Sequence, residues 1–178
     1  MRVRLISMSS RQIAHGLEHG EIEAGLTYLD NEPLAHVDAV PLWHERYLLV
    51  TPAAGEFGSA HSVPWAVAAG LPLCLLTPEM QHRRIVDGAF ASAGVTPEPA
   101  VETNSISTLI AHARAGLQGI TADTWLDANP LPDDLRAVPL VQPEIEHTIG
   151  LVTTTTIERT PVITELLDLL AGADQPVT

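Results

Sequence analysis

The sequence has no lysine: all nine of its cations are arginine, set against 22 acidic residues in 178. That absence removes Schiff-base chemistry, a lysine general base and a phosphate-loop lysine. A net charge of −13 further argues against the chain gripping a nucleic-acid backbone by itself, because phosphate contacts need clustered basic side chains. The one cysteine, Cys74, excludes an internal disulfide and a cysteine-rich metal centre. It lies in the apolar run Leu71–Leu76 and reads as a buried, inert thiol. Aromatic residues make up 4% of the chain and Trp43, Trp65 and Trp125 are scattered, which is too thin for a base-stacking platform. No stretch approaches the ~20 apolar residues of a membrane span. The start, Met1-Arg-Val-Arg-Leu-Ile-Ser7, turns polar too soon for a signal peptide, so a soluble, cytoplasmic protein without membrane contact is expected. The G-x-S-x-G elbow, the G-x-G-x-x-G turn and the G-x-x-x-x-G-K-[ST] loop are all missing.

What is present is a core-forming composition, 46% hydrophobic with 17% charged, arranged as short β-type runs alternating with helical segments. Val3–Ser7 is a strand candidate, followed by a helix from Ser10 to His19 with Gly20 as its stop, and a strand over Ala24–Tyr28. Val37–Leu42 and Tyr47–Thr51 are expected as antiparallel neighbours, and Pro52–Pro64 as a loop. Leu71–Leu76 is apolar throughout, as expected of a parallel strand covered on both faces. Thr77-Pro78 is expected to open a helix as N-cap and first residue, with Ile85, Val86, Ala89 and Phe90 on its buried side. A strand at Pro99–Glu102, a helix capped by Asn104, and a strand at Gly119–Thr121 complete a βαβαβ half of a doubly wound fold. Arg136–Val141 and Thr148–Thr155 are further strands, Thr160-Pro161 starts a leucine-rich helix, and Asp174–Thr178 is a polar tail. The layout predicts an α/β fold of two Rossmann-like lobes. Residues 1–45 and 141–178 form a discontinuous first lobe, and residues 46–140 the second.

In open α/β sheets ligands sit beyond the carboxyl ends of strands, where helix N-termini offer free N–H groups. Three such junctions carry small polar residues: Ser7–Ser10, Thr77–Gln81, and Thr103–Ser105 with Thr121 alongside. Taken singly, each residue is accounted for as a helix cap. Taken together, they would line a cleft between the lobes suited to a small polar or anionic ligand. The candidate ligand contacts are Ser9, Thr77, Gln81, Asn104, Ser105 and Thr121. Catalytic signals are weaker. His15-Gly-Leu-Glu18-His19 has the H-x-x-E-H spacing of one zinc protease class, yet these residues point away from Ile13 and Leu17, and a solvated helix face accounts for them. Asp133-Asp134 sits in a Pro-rich turn and receives no acid–base role. No catalytic residue, metal site or cofactor is expected.

The run Ile13-Ala-His-Gly-Leu-Glu-His-Gly-Glu-Ile-Glu-Ala-Gly-Leu-Thr27 resembles a segment of LysR-type transcriptional regulators. Pro41-Leu-Trp-His-Glu-Arg-Tyr-Leu-Leu-Val-Thr-Pro52 is similar to that family's crossing strands. Glu102-Thr-Asn-Ser-Ile-Ser-Thr-Leu109 with Arg114-Ala-Gly-Leu117 is similar to its second-lobe strand–helix unit. The ordered set spans nearly the whole chain. The resemblance implies the type 2 periplasmic-binding-protein-like fold, a small-molecule effector between the lobes, and assembly as a homo-oligomer, expected to be a dimer. By position, Ser9, Thr77, Asn104, Ser105 and Thr121 fall where the family's ligand contacts cluster. It also implies that DNA is reached only through a helix-turn-helix domain, which this sequence lacks. The sequence starts where the family's second strand would, so the first lobe is expected to lack its usual first strand and helix, and to be rearranged, partner-completed or weakly stable. The expected function is a non-enzymatic ligand-sensing regulatory domain. The alternative is a small α/β enzyme or a solute-binding protein using the same cleft; the first lacks a nucleophile–base pair and the second an export signal.

Overall fold

The four residues of β4 (Leu73–Leu76) are buried without exception, and around this strand the chain builds its larger structural unit. The computed structural model describes residues 3–30, 36–155 and 160–172. The chain divides into two units, Met1–His44 with His147–Thr178, and Glu45–Glu146.

In the first unit, α1 (Ser10–Glu18) buries Ile13, Gly16 and Leu17. It packs on β1 (Ala24–Tyr28), where a side chain at Gly25 would collide with Ile13, so glycine permits the close approach. β8 (Glu146–Thr154) runs antiparallel to β1, with Leu26 opposite Leu151. Ile13, Leu17 and Val152 form the core of this unit, flanked by Met8, Ile22, Leu29 and Val37. Gly20, at φ +67°, follows the end of α1 as expected. A helix, α6 (Pro161–Gly172), follows in this unit and buries Ile163. The strand expected at Val3–Ser7 does not form. The segment is unpaired and Leu5 is 93% exposed, because its apolar residues find no strand partner among the described residues.

The second correction concerns β2, a single strand from Val37 to Pro52 rather than two antiparallel neighbours. Nothing between Pro41 and Tyr47 supplies turn chemistry, so the extended chain simply continues. Its second half lies in the second unit, between β6 (Gln118–Ala122) and β7 (Leu135–Val141), antiparallel to both. β7 in turn pairs in parallel with the two-residue β3 (Val63–Pro64). On the other side of β6 come β4 and then β5 (Val101–Thr103), all three parallel. The crossovers are α3 (Gln81–Ser92) and α4 (Ile106–Arg114), as the βαβαβ pattern predicts. Two short helices, α2 (Trp65–Ala68) and α5 (Asp123–Ala128), lie in stretches too brief for a periodic signal.

Two layers of core follow from the alternation of β4. Cys74 and Leu76 face α4, packing with Val50, Leu109, Ile110, Ala113 and Leu135. Cys74 is thus a buried free thiol, whose pKa burial raises. Elsewhere in the unit, α3 buries Ile85, Val86, Ala89 and Phe90, and the Phe90 ring meets the fully buried Trp65 edge-on at 5.1 Å. Trp65 completes its hydrogen bonding by donating Nε1–H to the carbonyl of Pro143 at 3.0 Å. The polar tail expected at Asp174–Thr178 lies outside the described residues.

Candidate functional site

The chain leaves β4 through α3 to reach β5, then returns through α4 to β6 on the other side of β4. Its direction therefore reverses at β4. With right-handed crossovers this puts the two helices on opposite faces and opens the carboxyl edge of β4, β5 and β6 to a ligand.

Thr77 is the first residue past β4, and its N–H donates to the carbonyl of Thr103 at 2.9 Å. Ser105 N–H donates to Thr103 Oγ1 at 3.2 Å, so the exits of β4 and β5 are tied through one residue. Asn104 lies between them and is exposed. The cap of α4 is Ser105 rather than Asn104: Ser105 is the last extended residue, and its Oγ accepts the N–H of Thr108 at 3.4 Å. The start of α3 is also displaced from the expected Thr77-Pro78. These residues open a turn in which Met80 N–H donates to the Thr77 carbonyl at 3.0 Å, and the helix begins at Gln81. Arg84 holds the turn by donating to the carbonyls of Glu79 (2.7 Å) and Pro78 (3.3 Å). No side chain caps α3.

Gln81 is buried in the first turn of α3, and Thr121 is completely buried in β6. Thr121 shares a strand face with Gly119, where a Cβ would run into Leu109 of α4, so its hydroxyl sits under that helix rather than on an open rim. Among the described residues that hydroxyl has no hydrogen-bond partner. Ser9 belongs to the first unit. It caps α1 in a capping box, with Ser9 N–H donating to Gln12 Oε1 at 2.8 Å and Gln12 N–H donating to Ser9 Oγ at 3.4 Å. Thr77, Asn104 and Ser105 are thus brought together, whereas Gln81 and Thr121 are buried side chains of α3 and β6.

One residue that organises this edge escapes a reading by motif. Arg83, 8% exposed, donates Nη1–H to the Leu76 carbonyl at 2.7 Å and to Glu102 Oε1 at 2.6 Å, and Nε–H to Asp87 at 2.8 Å. Burial works against its charge, but the two carboxylates outweigh this and hold its pKa above the ordinary arginine value. The signal for it was a cation at the i, i+3, i+7 positions shared with Val86 and Phe90, on the buried face of α3. Next to it, burial pushes His82 down from 6.5 to about 4. Its ring meets that of Tyr47 edge-on at 5.4 Å, and neither ring nitrogen has a hydrogen-bond partner among the described residues. The Glu79 carboxyl, exposed on the turn, is held below the usual carboxylate range by its own backbone N–H and by the Thr77 hydroxyl.

The start of α5, just past β6, and Glu146 at the start of β8 are fastened to β2. Thr124 donates its hydroxyl to Glu45, Arg46 N–H donates to Asp123 Oδ1 at 3.0 Å, and the Arg46 guanidinium meets Glu146 at 2.9 Å.

Residues 1–175 match the LysR substrate binding domain. The chain belongs to this family. Its backbone resembles the reduced form of the OxyR regulatory domain from Pseudomonas aeruginosa with a TM-score of 0.74 at 19% identity, covering 92% of this chain and 77% of that one. The Synechocystis CcmR regulatory domain in complex with 2-PG gives a TM-score of 0.79 at 12% identity, over 91% of this chain and 78% of that one. The effector binding domain of QuiR in complex with shikimate gives 0.76 at 14%, over 92% and 77%. At such identities the likeness establishes the fold, the periplasmic-binding-protein-like fold of LysR regulatory domains. No curated protein gives a significant sequence match. Among the described residues no helix of this LysR domain is long and apolar enough to cross a membrane.

Proposed function

We propose that this LysR domain senses a small polar or anionic metabolite at the carboxyl edge of β4, β5 and β6, through Thr77, Asn104 and Ser105 with Gln81 at the start of α3; Thr121, buried under α4, is not among the contacts. Ser9, at the start of α1, is the first unit's candidate contact. The observation that carries this reading is the meeting of Thr77, Thr103 and Ser105 where the chain reverses across β4. The amides at the start of α3, which lack a side-chain cap, and the N-terminus of α4 supply donors and positive potential at the same edge. The two relatives named in complex with 2-PG and with shikimate add weight to a small-molecule effector.

In this proposal the domain makes and breaks no bonds. It works as a homo-oligomer in the cytoplasm, and reaches DNA only by way of a helix-turn-helix domain. A thermal-shift screen of small organic acids, with mass spectrometry of the same mixtures, tests it. The expected result is stabilisation by one class of acid with no product formed. Product formation would move the chain to the enzymes, and a flat screen would count against a sensor of such acids.

A further inference from the structure

We propose that α1 carries a binding site for a divalent transition-metal ion of the Zn²⁺ kind, formed by His15, Glu18 and His19. The proposal stands apart from the effector site and does not depend on it. Positions i, i+3 and i+4 share one face of a helix. Here that face is the one opposite Ile13, Gly16 and Leu17, and all three side chains are exposed. The sequence pattern alone is satisfied by a solvated face, but the structure adds three independent features.

The first is distance. One ligand atom from each of the three residues lies within 4.8 Å of the others. Zn–N and Zn–O bonds of about 2.0–2.2 Å in a tetrahedron put ligand atoms roughly 3.3 Å apart, a gap that rotation of exposed side chains closes. The second is pre-orientation. The two imidazoles already lie against each other with centroids 4.0 Å apart and planes 36° apart. His19 Nδ1 is 2.9 Å from the His15 carbonyl, an acceptor, so Nδ1 carries the proton and Nε2 keeps the lone pair for a metal. A ligating histidine held by a backbone carbonyl through its second nitrogen is the usual outer-shell arrangement. The third is field. The group occupies the last turn of α1, whose end is fixed by the His19 N–H bond to His15 O and by Gly20 at φ +67°, and the negative end of the helix dipole favours a cation.

Two imidazoles and one carboxylate suit Zn²⁺, Co²⁺, Ni²⁺ or Cu²⁺ rather than Mg²⁺ or Ca²⁺, which take all-oxygen shells. Three protein ligands leave at least one position for water.

The test is calorimetric titration of Zn²⁺ into the whole chain, repeated with His19→Ala, Glu18→Gln and the double variant His15→Ala/His19→Ala. Circular dichroism confirms the fold, which substitutions on an exposed face leave intact. The expected result is one ion per chain, a loss of about 10-fold or more in affinity for His19→Ala, a weaker but saturable site for Glu18→Gln, and no such site in the double variant. A rise in melting temperature with Zn²⁺ is expected for the unaltered chain and not for the double variant. Absence of saturable binding, or an isotherm and a Zn²⁺-induced shift unchanged in the double variant, would overturn the proposal.

Discussion

Arg83 and Glu102 meet at 2.6 Å across the carboxyl ends of β4 and β5, with the same arginine nitrogen also bonding the Leu76 carbonyl. This contact fixes the spacing of the two strand exits from which Thr77 and Asn104 emerge. Arg83→Ala strands a carbonyl and two carboxylates at once. Because Glu102 and Asp87 are about 40% exposed (42% and 43%), the expected loss is about 2 kcal/mol, below that of a wholly buried pair. Urea unfolding measures it. Arg83→Lys should recover only part, since one ammonium does not reproduce the guanidinium fork. Unaltered stability in Arg83→Ala would deny the staple.

Thr77 and Ser105 separate binding from folding. Each hydroxyl, if lost, is expected to weaken effector binding by about 1 kcal/mol, or roughly 5-fold. Ser105→Ala also removes the cap of α4 and should cost ~1 kcal/mol of stability. Thr77 caps no helix, so Thr77→Ala should weaken binding with little change in melting temperature.

The βαβαβ half was legible because its signals are local and agree. Leu71–Leu76 is apolar throughout, the stripe Ile106, Leu109, Ile110, Ala113 repeats at helical spacing, and Gly94 and Gly116 take up the positive φ values that end the helices. The family resemblance was legible for the same reason, as ordered segments across the chain. What sequence could not settle was set by partners distant along the chain. Val3–Ser7 has strand composition but no strand beside it among the described residues, and β2 runs on through Trp43 because β6 and β7 hold its far half. Within the site, Thr77 and Ser105 were readable as small polar residues after strands. Arg83 was not, since its three partners lie at 76, 87 and 102.

His82 makes stability depend on pH. Its folded-state pKa of about 4 lies below the ordinary 6.5, so protons bind the unfolded chain first. Its contribution is fully present above about pH 6.5 and is lost as pH falls towards 4, amounting to ~2 kcal/mol by pH 5. Unfolding free energies at pH 7 and pH 5 should fall further apart in the unaltered chain than in His82→Leu, by about that amount. Equal differences in the two proteins would place His82 outside the acid response.

At Gly119, two residues before Thr121, an added Cβ would run into the Leu109 side chain of α4. Gly119→Ala forces Leu109, which is fully buried, to move and is expected to cost about 1–3 kcal/mol. A melting temperature equal to that of the unaltered chain would show that α4 can shift freely at this contact.

The most direct measurement is isothermal titration of the best-stabilising organic acid into the unaltered chain and into Thr77→Ala, Asn104→Ala and Ser105→Ala, each checked for folding. One acid-binding site per chain is predicted, with affinity reduced in all three variants. Full-strength binding retained by all three would place the effector elsewhere and contradict the assignment of the β4–β5–β6 edge.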